Sequence, residues 1–115
     1  MADWVIWHKP SCSTSRWVLA ALRDAGVDPV IRDYVADPPD AATIRAALAQ
    51  AGIGARDLLR RKEPLARDLD LRQQEDPDRI IAAMAAHPIL IERPLVLHPG
   101  GGLLCRPKER VAEIL

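Results

Sequence analysis

Short apolar runs alternate along the chain with longer stretches of helical periodicity. Asp3 to Trp7 carries the run Trp4-Val5-Ile6-Trp7, bounded by Lys9-Pro10, and predicts a buried first strand. Ser13 to Ala25 follows as a helix built on Val18-Leu19-Ala20-Ala21-Leu22, with Gly26 as its C-terminal stop. Val30 to Val35 mixes apolar and polar residues with β-branched character and predicts a second strand. Strand, helix and strand make a βαβ unit, so these two strands should run parallel. Pro38-Pro39 punctuates the chain. Asp40 is a good N-cap, and Ile44, Ala47, Leu48 and Ala51 fall on one helical face before Gly52. Ala55 to Arg61 predicts a short helix and Pro64 to Leu69 a further turn or two. Asp76-Pro77 caps a helix with the stripe Ile80, Ile81, Met84 and Ala85, ended by His87-Pro88. Leu95-Val96-Leu97 and Leu103-Leu104-Cys105 flank Pro99-Gly100-Gly101-Gly102 and predict a β-hairpin with those glycines in its turn. Arg106-Pro107 opens a last helix, with Val111, Ile114 and Leu115 on one face.

The order is therefore β-α-β, a helical insertion at about 40–87, then β-β-α. The expected class is α/β with a mixed sheet of about four strands. A cysteine at the end of the first strand makes that order a thioredoxin-like layout. At 115 residues, 1–115 should be one domain with a true core. The three glycines lack the strand-to-helix context of a phosphate loop.

Composition narrows the function classes. Formal net charge is zero, which argues against broad electrostatic binding to nucleic acid or to a membrane surface. The N-terminal apolar run has four residues, too short for a signal peptide or a spanning helix. Two cysteines make neither a disulfide framework nor a four-ligand zinc site, so a cytoplasmic protein with reduced thiols and no metal is expected.

Cys12 is the centre of the candidate chemistry. It sits where the first strand turns into the first helix, among Ser13, Thr14 and Ser15 and between His8 and Arg16. Unpaired N–H groups at a helix start favour anions, and therefore a thiolate. A free thiol has a pKa of about 8.5, and lowering it by about two units takes roughly 2.7 kcal/mol. A helix N-terminus supplies about 0.3–1 kcal/mol, or up to ~2 when partly buried. A second contributor is needed, and His8 and the arginines are the candidates. Arg93 precedes Pro94 at the entry to a strand; in a thioredoxin-like fold that proline is expected to be cis and beside the active cysteine. Arg106 precedes the last helix at the same end of the sheet. Arg60 sits at a helix end, and sequence alone does not bring it to Cys12. Guanidinium forks match tetrahedral oxyanions, so three converging arginines would make an arsenate, phosphate or sulfate site. Cys105 ends an apolar run and reads as a buried core cysteine. Ser15 stands where a Cys-x-x-Cys partner would lie, so Cys12 has no local resolving thiol.

His8-x-Pro10-x-Cys12-Ser13-x-Ser15-Arg16 resembles the active-site motif of the glutaredoxin-coupled arsenate reductase (ArsC) family. The resemblance continues through Leu58-Leu59-Arg60, His87-Pro88-Ile89-Leu90-Ile91-x-Arg93-Pro94 and Cys105-Arg106-Pro107. Arg60-Arg61-Lys62-Glu63 and Glu92-Arg93-Pro94, with a chain stopping at Leu115, are similar to a shorter subgroup of that family. The resemblance implies a thioredoxin-like fold with an inserted helical region. It also implies that Cys12 is the nucleophile, that Arg60, Arg93 and Arg106, with Ser15 beside them, bind the arsenic oxyanion, and that His8 favours the thiolate. Glutathione would be the cosubstrate and glutaredoxin the partner protein, with no bound cofactor, in a monomer. Two other readings keep the fold. One is an Spx-type regulator binding RNA polymerase, which Ser15 in place of a second cysteine argues against. The other is a general glutathione-dependent thiol oxidoreductase, which needs Cys12 but not three arginines.

Overall fold

The structure, a computed structural model, describes residues 3–115. Four strands form one mixed sheet in the order β2-β1-β3-β4. Central β1 (Val5–His8) runs parallel to β2 (Val30–Asp33) and antiparallel to β3 (Leu95–His98). β3 and β4 (Gly101–Leu104) close the hairpin. Helix α1 (Ser13–Asp24) makes the crossover between β1 and β2. Four helices fill the insertion: α2 (Ala41–Ala51), α3 (Ala55–Leu58), α4 (Pro64–Asp68) and α5 (Pro77–Ala86). This is the thioredoxin-like α/β arrangement with a helical insertion.

Alternation along β1 divides the core. Ile6 packs with Val18, Leu19, Leu22, Val96 and Cys105 on the face covered by α1 and the C-terminal segment. Trp7 packs with Ile44, Leu58, Ile80, Met84 and Leu95 on the face covered by the insertion. Both faces of β1 are buried, which explains its near-continuous apolar run. β2 is an edge strand, so Val30 and Ile31 stay exposed.

Local signals set the helix ends. The Thr43 N–H donates to the Asp40 carboxylate (2.8 Å), and the Asp78 N–H donates to that of Asp76 (3.0 Å). Gly52 ends α2 at φ +68°, the left-handed backbone that glycine accepts.

Besides β2, which ends at Asp33 and not Val35, four boundaries differ most from expectation. β1 begins at Val5 and runs on to His8, because its pairing with β2 continues to His8 opposite Asp33. Helix α3 stops at Leu58, not Arg61, because Leu59 turns extended and bridges antiparallel to Ile91. The hairpin turn holds Gly100, at φ +92°, while Gly101 and Gly102 lie in β4. A Cβ on Gly102 would sit 3.1 Å from the Ala51 Cβ, so a glycine there lets α2 approach the strand. The last segment, Lys108–Ile114, is a 3-10 helix and not an α-helix. Its three-residue turn puts Val111 and Ile114 on one side, against the α1 face of the sheet, and Leu115 is exposed.

Candidate active site

Four residues turn the chain from His8 into α1, and Cys12 is the N-cap. Its backbone is extended (φ −91°, ψ 119°), its N–H donates to the Lys9 carbonyl (2.9 Å), and its carbonyl accepts from the Arg16 N–H (3.0 Å). No side chain caps this helix, so the sulfur stands where a capping oxygen would. Burial raises the pKa of the thiol. The Ser15 backbone N–H and the guanidinium groups of Arg93 and Arg106 outweigh burial and hold it below the ordinary thiol value. The second contributor is thus the arginine pair.

His8 acts elsewhere. Its Nδ1 lies 2.6 Å from Ser15 Oγ, which also accepts from the Lys9 N–H (3.1 Å). Burial lowers the His8 pKa, with Asp33 opposing and Arg23 and Arg16 adding to the fall, so the ring is neutral at neutral pH. The His8 tautomer sets which of Nδ1 and Oγ donates in that bond. The pair clamps the end of β1 to the first turn of α1 and so fixes the N–H that faces the sulfur.

The arginines arrive from three other places. Arg93 follows the Ile91 bridge residue and forms a cis peptide bond with Pro94 at the start of β3. It is 6% exposed, and its Nε and Nη1 meet no hydrogen-bond acceptor. Buried donors are nearly always paired, so two in one guanidinium beside a thiolate point to an anionic ligand. Arg106 follows β4, also before a cis proline, and its Nη1 donates to the Arg93 carbonyl (3.1 Å). Arg60 lies just past the Leu59–Ile91 bridge. The Arg60 N–H donates to the Leu90 carbonyl and the Glu92 N–H to the Leu58 carbonyl, each at 2.7 Å. That pairing sets Arg60 beside Glu92, and Arg60 Nη1 donates to Glu92 Oε1 (2.7 Å). Arg106 Nε lies 3.6 Å from the same oxygen. Tyr34, fully buried after β2, donates to the Ile91 carbonyl (3.3 Å). Burial pushes its hydroxyl pKa up to about 12, and Arg93, Cys12, Glu92 and Arg60 all act on it. One open cleft of about 640 Å³ runs along this edge, lined by Thr14, Lys62, Glu92, Arg106 and Lys108 among others. Its volume suits a small ligand, for which about 300–1,000 Å³ is usual.

The sequence profile of the ArsC family matches residues 7–114. The chain belongs to the ArsC family. An arsenate reductase of Rhizobium meliloti is 42% identical over 111 residues, covering 96% of this chain and 79% of its own. One from Escherichia coli K12 is 41% identical over 116 residues, covering all of this chain and 82% of its own. A solved arsenate reductase from Vibrio cholerae superimposes with a TM-score of 0.91 at 40% identity, covering 99% of this chain and 98% of that one.

Of the arginines that match the ArsC-family motif, Arg93 and Arg106 both act on the Cys12 thiol and lower its pKa. Arg60 joins them through Glu92, with Glu63 on its other side at 4.0 Å, and is not among the groups that act on the thiol. Two residues of the motif are placed one step back from the sulfur. His8 meets Cys12 through Ser15, and burial lowers its own pKa. The Ser15 hydroxyl lies against His8 and Lys9, and the Ser15 backbone N–H acts on the sulfur. Glu92 and Tyr34 were not singled out by the sequence. Among the described residues no group of three metal-ligating side chains occurs, and no helix is long and apolar enough to cross a membrane.

Proposed function

We propose that this ArsC-family chain is an arsenate reductase that works through the Cys12 thiolate. The observation that carries this reading is a buried Arg93 with two unsatisfied donors beside a thiol whose pKa is lowered. The sulfur attacks arsenic(V), a sulfur–arsenic bond forms, and one oxygen leaves as water. Arg93 and Arg106 offset the charge on the remaining oxygens as that bond forms, and Arg60 supports them across Glu92. Glutathione enters along the cleft beside Thr14 and Arg106 and attacks the adduct. Arsenic takes one electron pair, the two sulfurs become a disulfide, and arsenite leaves. The two thiol protons and one arsenate oxygen make the water, so atoms and electrons balance. Glutaredoxin then restores the Cys12 thiol, because Ser15 supplies no resolving sulfur.

Phosphate has the same shape and charge, so the arginines alone do not reject it. Selectivity comes from the reaction, since sulfur reduces arsenic(V) readily and phosphorus(V) hardly at all. One chain supplies every residue of the site, which suits a monomer, and the thiol cycle suits a reducing cytoplasm.

Arsenite production from arsenate, with glutathione and glutaredoxin supplied, tests the proposal. The parent protein turns over and Cys12→Ser is inactive. Normal arsenite release by the variant would sink the mechanism.

A further inference from the structure

Glu92 is out of place in an anion site. Its carboxylate is 15% exposed on the side chain and lies among cations. Oε1 accepts from Arg60 Nη1 (2.7 Å) and from the Arg93 backbone N–H (3.3 Å), and Arg106 Nε is 3.6 Å away. Of the three arginines, Arg93 keeps two buried side-chain donors, Nε and Nη1, with no acceptor. Three guanidinium charges therefore meet the thiolate, Glu92 and, beside Arg60, Glu63 at 4.0 Å, so anions already in place answer much of the positive charge.

We propose that Glu92 is a built-in counter-anion that sets which oxyanion charge state the arginine pocket admits. This rests on the arsenate reductase reading of the same site. An oxyanion takes the free donors of Arg93 first. To reach Arg60 and Arg106 it must share them with the carboxylate or turn it out. Two anions held on the same guanidiniums repel, and the repulsion doubles for a dianion. Glu92 therefore weakens dianion binding most and monoanion binding least.

Glu92→Gln keeps the size of the side chain and its acceptor oxygen and removes the charge. Binding of sulfate, a dianion at every working pH, and of nitrate, a monoanion, is measured by calorimetry on both proteins. The expected result is sulfate binding tighter by about tenfold or more in the variant, with nitrate changed far less. Glu92→Ala, which also clears the space, should move sulfate in the same direction. A carboxylate that only holds Arg60 and Arg106 in place gives the opposite sign, weaker sulfate binding on its removal. Unchanged or weaker sulfate binding in the folded variant, or an equal gain for nitrate, overturns the proposal. Neither probe is reduced, so arsenite production by the parent protein tests the underlying reading separately.

Discussion

Cys12 and Cys105 are the same side chain in two surroundings. Cys12 is half-buried at a helix start, where an N–H and two guanidiniums favour its charged form. Cys105 has no exposed surface and sits with Ile6, Val18, Leu22 and Val96. Burial pushes its pKa up to about 12, and Arg110 barely offsets this. Burial acts in the same direction on both thiols and more fully on Cys105, and only Cys12 is supplied with donors that outweigh it. A reactive cysteine is therefore made by partial exposure together with its neighbours' N–H groups.

The comparison is most easily broken by alkylation. At neutral pH iodoacetamide should modify Cys12 and spare Cys105 in the folded protein. Against about 8.5 for a free thiol, a pKa of about 12 alone makes the Cys105 thiolate more than about a thousandfold rarer. Mass spectrometry of the digested protein reads both sites, and equal labelling would show that the two environments do not differ. The next largest effect separates core from site. Cys105→Ser puts a hydroxyl into an apolar cluster and should cost about 1–3 kcal/mol in urea unfolding, with arsenite production per folded molecule kept. Lost turnover in a fully folded variant would give Cys105 a chemical role. The finest test concerns the source of Cys12 reactivity. Arg93→Ala removes a group that lowers the Cys12 pKa. A thiolate forms above its pKa, so the alkylation profile should move to higher pH and the neutral-pH rate should fall. A profile that stays in place would leave Ser15 and Arg106 as the only donors that matter.

Much of this could be read along the chain because its signals are local. The strand-to-helix turn at Cys12, the Asp40 and Asp76 caps and the β1 run each lie within a few residues. The His8–Ser15 contact spans seven positions, and the motif held both residues. What stayed hidden was who touches whom. A neutral histidine bonded to a serine and a charged one beside a thiolate have the same sequence. Glu92 stood in plain view before Arg93-Pro94, but its partner Arg60 is 32 positions away across the insertion. Tyr34 read as part of the second strand, while the fold buries it just past that strand, where Arg93 and Arg60 act on it. The sequence also had no means of showing that Lys108–Ile114 would wind more tightly than an α-helix, because apolar spacing of three suits both.

The Leu59–Ile91 bridge has a mechanical consequence. It is a single antiparallel contact outside the main sheet, closed by backbone bonds from Arg60 to Leu90 and from Glu92 to Leu58. Those same amides belong to the two residues that pair across the pocket. If the insertion peels away there, Arg60 leaves Glu92 in the same movement, while Glu92 stays beside Arg93 and Arg106. The Arg60 side of the anion site therefore assembles and comes apart with that small clasp.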